Sequence, residues 1–215
     1  MYTYRFIPID EYMRIRDIQY TIVSHVHNRY KYKVDECGDL MYSHGNAPMV
    51  ESIRNTGIIS LPDTHYSHAY INMMELPDTL PNDVLDGYYD VLSIDTMMIG
   101  LSNGYSVSPL GMYLGSTYQG SVWVITSSLF PNHIGLYGIR SSIILNLQGK
   151  RGIARMLIEY VKSMYKGYTI VVPSPLLPMI GLLTSCGFIR YEDINTMEYL
   201  FISSISRIVE YYVLV

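Results

Sequence analysis

The residues with the clearest capacity for chemistry are Asn146 to Arg155, NLQGKRGIAR, where Gly149 and Gly152 flank Lys150 and Arg151. A helix that starts at such a loop offers free N–H groups and a partial positive charge, and glycines let anionic oxygens approach the backbone closely. Lys150 and Arg151 add countercharge for a diphosphate. The spacing is neither G-x-x-x-x-G-K-[ST] nor G-x-G-x-x-G, so neither familiar nucleotide loop applies. Taken alone, the loop is equally explained as a tight strand-to-helix turn with solvated charges.

The flanking elements must position that loop. The apolar, β-branched run from Leu136 to Leu145 predicts a strand. Ile153, Met156, Leu157, Tyr160, Val161 and Met164 then fall on one helical face, and Gly167 supplies a stop. Tyr168 to Val172 predicts a short buried strand. Ser174 and Pro175 suit an N-cap and first-turn proline for a second apolar helix that closes at Cys186-Gly187-Phe188. Ile189 to Tyr191 leads into further β structure, and Met197 to Ile202 reads as another strand.

This order resembles the GCN5-related N-acetyltransferases, the GNAT superfamily. Its signature is a strand, [Gln/Arg]-x-x-Gly-x-[Gly/Ala], a helix, a strand, a short helix ending in Gly-Phe, and a final strand pair. Gly152-Ile153-Ala154 matches the end of the motif and Gly187-Phe188 the second landmark, so the resemblance covers roughly residues 120 to 202. It implies an α/β (α+β) fold with a central mixed, mostly antiparallel sheet and helices on both faces. It also implies an acyl-CoA cofactor, acetyl-CoA or another acyl-CoA. Gln148, Gly149, Lys150, Arg151, Gly152, Ile153 and Ala154 would hold its pyrophosphate. The preceding strand would splay from the next one around the pantetheine arm, and a backbone N–H within Ile139 to Ile143 (Ile139, Ser141 and Ile143 being the candidates) would meet the thioester carbonyl.

Two positions depart from the family pattern. Gly149 stands where Gln or Arg is usual, with Gln148 one residue early. Leu183 stands where some members carry a tyrosine that protonates the departing thiolate. Proton handling then falls to other groups. His133, Tyr137 and Ser141 lie on or just before the strand in question and are the catalytic candidates, although each is also explained structurally. Arg140 suits either an acidic acceptor or a neighbouring carboxylate. Cys186, just before a capping glycine, reads as a small buried hydrophobe. His25 with His27, and His65 with His68, lack a third ligand at a convincing spacing, so no metal is expected.

Composition bounds the rest. The 215 residues suit one domain, and 49% hydrophobic with 16% charged residues is globular. No apolar run approaches the ~20 residues of a bilayer-crossing helix, and MYTYRFIPIDEYMR lacks a signal-peptide core. Cys37 and Cys186 form no framework, which suits a reducing cytoplasm. A net charge of −4 opposes generic nucleic-acid binding. Tyrosine is abundant, with 22 residues, and that count suits cores, partner surfaces and base stacking alike. Tyrosine-rich, lysine-poor composition with an unfamiliar front half points to a viral or mobile-element source.

In chain order, Tyr2 to Ile9 predicts a first strand and Asp10 caps a helix to about Val26. Asn46 and Pro48 open a short helix that stops at Gly57. Residues 1–57 form the acceptor side, 58–104 an insertion with short strands of its own, 105–202 the acyl-CoA half, and 203–215 a C-terminal strand. Leu110 to Leu114, Ser121 to Thr126 and Leu136 to Ile144 make an antiparallel meander. The resemblance implies an acyl-CoA-dependent N-acyltransferase acting on an amine of a small molecule, a protein or a nucleic-acid base, with no membrane partner and room for a homodimer. Two alternatives stay open: a catalytically degenerate GNAT-fold binding or inhibitory protein, and a GNAT-like base-modifying enzyme.

Overall fold

The computed structural model describes residues 1–31, 58–59, 71–72, 95, 98, 104–147, 151–173, 175, 177–193, 195–204 and 210–215. In chain order these are β1 (Tyr2–Phe6), α1 (Ile9–Lys31), β2 (Ile58–Ile59), β3 (Ile71–Asn72), β4 (Tyr105–Leu114), β5 (Thr117–Ser127), β6 (His133–Ser141), α2 (Ile143–Leu147), α3 (Ile153–Met164), β7 (Thr169–Pro173), α4 (Leu177–Ser185), β8 (Ile189–Tyr191), α5 (Met197–Ser203) and β9 (Tyr211–Leu214). Asp95 and Met98 are also helical.

Seven strands form one sheet in the order β1-β4-β5-β6-β7-β9-β8, while β2 and β3 pair apart from it. The meander β4-β5-β6 is antiparallel, as its alternation and glycine turns predict. β7 follows a helical crossover and forms with β6 the one parallel pairing among the described strands. β9 then inserts between β7 and β8, antiparallel to both. This is the mixed, mostly antiparallel sheet with helices on both faces that the sequence implies.

Each face of the sheet has its own core. One holds Leu110, Met112, Val122, Val124, Ile134 and Leu136 under Ile153, Leu157, Ile158 and Val161 of α3. The other packs Trp123, Ile125, Tyr137 and Val171 under Tyr12 and Ile15 of α1 and Phe201 of α5. The face of α3 differs slightly from its predicted one: Ile158 is buried, whereas Met164 is 38% exposed. At 3.6 residues per turn, the contact stripe drifts off Met164 by the helix end.

Several element boundaries depart from expectation: β1 ends at Phe6 and not Ile9, and α1 runs on past Val26 to Lys31. Residues 143–147 are a short helix, α2, and not the end of a strand; Ser142 starts it, its Oγ accepting from the Leu145 amide at 3.5 Å. Residues 197–203 are helical and not a strand, because Thr196 caps α5 by accepting from the Tyr199 amide. That helix buries Phe201 and Ile202, four and five residues after Met197, on one side. The C-terminal strand is shorter than expected and spans Tyr211–Leu214. The expected helix at 46–57, most of the 58–104 insertion, His65, His68 and Cys37 lie outside the described residues, as do the side chains of His25 and His27.

Candidate functional site

The site is assembled where β6 parts from β7. His133, Ile134 and Gly135 pair with Thr169, Ile170 and Val171, and there the parallel pairing stops. From Leu136 onward β6 keeps only β5, while Val172 and Pro173 of β7 keep only β9. The two strands therefore diverge, leaving a wedge between them that opens toward Ser141.

Within the wedge β6 carries a bulge. Tyr137 opposes Trp123 and Arg140 opposes Ser121, so three steps along β6 match two along β5, and Gly138 and Ile139 fall outside the paired register. Gly138 takes φ +55°, a conformation that glycine adopts without steric cost. The extra residue also reverses the alternation of the strand. Ile134 and Leu136 point toward α3, and a regular strand would send Arg140 to the same apolar side. With the bulge, Ile139 takes the α3 side and Arg140 emerges among Tyr12, Trp123 and Asp95 on the α1 side.

Arg140 is 6% exposed and Asp95 is fully buried, and they form an ion pair at 2.6 Å. The Asp95 carboxylate also accepts from Trp123 Nε1 at 2.7 Å and from the Tyr12 hydroxyl at 3.1 Å. Arg140 donates in turn to the Tyr12 hydroxyl. Burial works against the guanidinium charge, but Tyr12 and Asp95 outweigh it and hold Arg140 well above the usual arginine range. Burial likewise pushes the Tyr12 and Tyr118 hydroxyls up, so both stay neutral. Of the two partners open to Arg140 from sequence, the neighbouring carboxylate is the one it meets.

The helix side of the site is the Gly152–Ile153 turn. Gly152 has φ +97° and stands at the N-cap of α3 with no side-chain cap. It and Arg151 are exposed, and a Cβ on Gly152 would meet no atom within 4 Å. Among the described residues no side chain caps the turn, and Gly152, Ile153 and Ala154 lie together in its first residues. Gly120 brings this turn to the end of β6. A Cβ there would lie 2.4 Å from the Arg140 carbonyl oxygen and 2.8 Å from Ile153 Cγ2, so only glycine lets β5, β6 and α3 meet so closely.

The candidates from sequence separate in the fold. Ile139 lies in the bulge, Ser141 at the open end of β6, and Tyr137 just before the bulge, buried on the α1 side. His133 does not join them. It sits at the opposite end of β6, against Phe130 and Phe201 and 3.7 Å from Glu198, where the strands are still paired. The amide of Ile143 is taken by Gln19 Oε1 at 2.7 Å, and that of Ser142 by the Gln119 carbonyl, which leaves neither for a ligand. Gln148, Gly149 and Lys150 lie outside the described residues. Arg155, at the end of the same stretch, donates to Ser185 Oγ at 2.6 Å. Leu183 is wholly buried in the α3-side core, so its position offers no proton.

Sequence reasoning missed Asp95 and Tyr12 as partners of Arg140. They are 45 and 128 residues away, beyond the reach of any local pattern. The glycine at 138 inside a strand was a usable signal for the bulge.

Among the described residues, no helix is long and apolar enough to cross a membrane. No three His, Cys, Asp or Glu residues among them could share a metal ion.

No family model and no curated protein matches the chain. Solved structures do. A GNAT-family acetyltransferase from Staphylococcus aureus is similar over 99% of this chain and 98% of its own, at 10% identity and a TM-score of 0.46. The PaiA N-acetyltransferase from Thermoplasma acidophilum, solved with coenzyme A, matches 99% of this chain and 97% of its own, at 11% identity and a TM-score of 0.40. The ribosomal-protein-S18-alanine N-acetyltransferase from Escherichia coli matches 64% of this chain and 89% of its own, at 12% identity and a TM-score of 0.37. At such identities and scores these are likenesses and nothing more; the strand order, the splay and the bulge are the chain's own, and they make its architecture GNAT-like.

Proposed function

We propose that the chain is an acyl-CoA-dependent N-acyltransferase that passes an acyl group, in the first instance acetyl, to an amine by direct attack. The observation that carries this reading is the conjunction of the open, uncapped Gly152–Ile153 turn with the bulged and splayed β6 beside it. Diphosphate oxygens suit the turn, where a helix N-terminus carries a partial positive charge and the left-handed glycine leaves room. Gly152, Ile153 and Ala154 would hold them, with Arg151 as countercharge and Gln148, Gly149 and Lys150 completing the loop. The cofactor supplies an activated thioester carbonyl.

The chain's own contribution is orientation. The Ile143 amide is already bonded and Ser141 pairs with Gly120 in the β5-β6 ladder, so Ile139, outside the paired register, is the candidate whose amide would receive the carbonyl oxygen. A fixed N–H aimed at developing negative charge, away from bulk water, stabilises it without any side chain. The amine must arrive neutral and give up a proton after attack. Ser141, at the open end of β6, and Tyr137, on the acceptor side, are the groups placed to relay it; His133 is too far along the strand.

The test is calorimetric titration of the protein with CoA and acetyl-CoA. Saturable one-to-one binding in the micromolar range is expected for both. Absence of binding at millimolar ligand would remove the reading. A second reading, a GNAT-fold binding protein without catalysis, is favoured by buried Leu183 at the usual tyrosine position. It gains ground if CoA binds but acetyl-CoA is never consumed with any amine supplied.

A further inference from the structure

Six of the seven buried polar residues among the described ones cluster in one place, the seventh, Ser127, standing at the far end of β5. Gln19, Asp95, Gln119, Ser121, Arg140 and Ser142 gather between α1 and the end of the β5-β6 pair, beside the bulge. An apolar cluster of the same volume would fold this region as well or better, since a buried ion pair offers little net stability. Their presence calls for a reason tied to position.

The bonds run in one direction. Arg140 donates to the Tyr12 hydroxyl and to Asp95, Tyr12 donates onward to Asp95, and Trp123 closes the set from β5. Arg140 directly follows Gly138 and Ile139, the two residues outside the paired register. Its guanidinium can reach Asp95 only if the bulge has reversed the strand's alternation. Holding the guanidinium therefore holds the bulge, and the bulge sets the direction of the Ile139 amide.

We infer that Arg140, Asp95 and Tyr12 are positioning residues: together they clamp the β6 bulge so that the Ile139 amide faces a bound thioester carbonyl. None of them touches the reacting atoms. The inference rests on the proposed acyl-CoA reading and adds that the 58–104 segment, through Asp95, helps to set the site's geometry.

The experiment uses full-length protein labelled with 15N-isoleucine, with the Ile139 signal assigned through Ile139→Val. CoA and acetyl-CoA are titrated into wild type, Tyr12→Phe and the double variant Asp95→Leu/Arg140→Met, and thermal midpoints are recorded alongside. Wild type should show an Ile139 amide shift with acetyl-CoA that CoA does not produce. The double variant removes both charges together, so it should fold and bind both ligands, yet lose the acetyl-specific shift. Tyr12→Phe keeps the ring against Trp123, which it meets edge-on at 4.7 Å between centroids, and should reduce the shift. It also serves as the probe should the double variant fail to fold.

A full acetyl-specific shift retained in the variants that fold would overturn the clamp and leave the acyl-CoA reading standing. So would wild type that binds both ligands with no acetyl-specific shift. Wild type that binds neither ligand would instead remove the acyl-CoA reading itself.

Discussion

The two faces of the central sheet solve different problems. Against α3, the sheet presents Leu110, Val122, Val124, Ile134 and Leu136 to Leu157 and Val161, an interior of aliphatic groups that needs nothing but size and shape. Against α1, the same strands present Trp123, Tyr137, Ser121 and Arg140, and the fit depends on hydrogen-bond direction and charge balance. One face tolerates exchange of one hydrocarbon for another. The other fails as soon as one partner is missing, because a stranded buried charge costs far more than the pair contributes. A shared sheet thus separates the part of the molecule that secures folding from the part that fixes backbone position.

Substitutions on the two faces should expose that contrast, the largest effect coming from the polar side. Arg140→Met leaves Asp95 buried with no counterion, and urea unfolding should show a loss of about 3–5 kcal/mol. Leu157→Ala on the apolar face should cost about 2–5 kcal/mol in the same measurement. The difference lies in repair: Asp95→Leu should restore much of what Arg140→Met loses, while no second change near Leu157 should do so short of refilling the volume. Equal costs with no such repair would erase the distinction between the faces.

Gly152→Ala tests the edge of the site with a smaller effect. The left-handed φ of +97° should cost about 1–2 kcal/mol in an alanine, yet no side-chain clash follows, since the space around it is open. CoA affinity measured by calorimetry should fall by about tenfold or more, the equivalent of 1.4 kcal/mol. An unchanged affinity would place the diphosphate elsewhere.

The smallest effect is on pH dependence. Burial raises the Tyr118 hydroxyl above the value of about 10 that it has in the unfolded chain. Unfolding then releases a proton at high pH, so this stability is complete below pH 10 and declines as pH rises beyond it. Tyr118→Phe should flatten the alkaline limb of a stability–pH curve measured by denaturant titration, and an identical slope would show that Tyr118 does not contribute.

How far sequence could see follows the same division. The α3 side was legible because its cues are local: a 3.6-residue apolar repeat from Ile153, and a glycine at each end of the helix, of which Gly152 and Gly167 both take positive φ. The α1 side was not, because a carboxylate 45 residues upstream leaves no periodic trace near Arg140. Short segments misled for another reason. Ile143–Leu147 and Met197–Ser203 are apolar runs too brief to display a period, and in both the decisive cue was one capping hydroxyl, Ser142 or Thr196. Within the candidate site the strand β6 was legible, but its register was not. One added residue at Gly138 decides which side chains reach which face, and composition is blind to that.

The long reach of Arg140 bears on how the polypeptide could be cut. A fragment from Tyr105 to Val215 keeps six of the seven strands of the main sheet and looks like a ready-made cofactor-binding module. Expressed by itself, it would carry an interior cation stripped of both Tyr12 and Asp95. Dissection of this protein should therefore fail at the junction before Tyr105, and two pieces meeting there should regain order only when mixed.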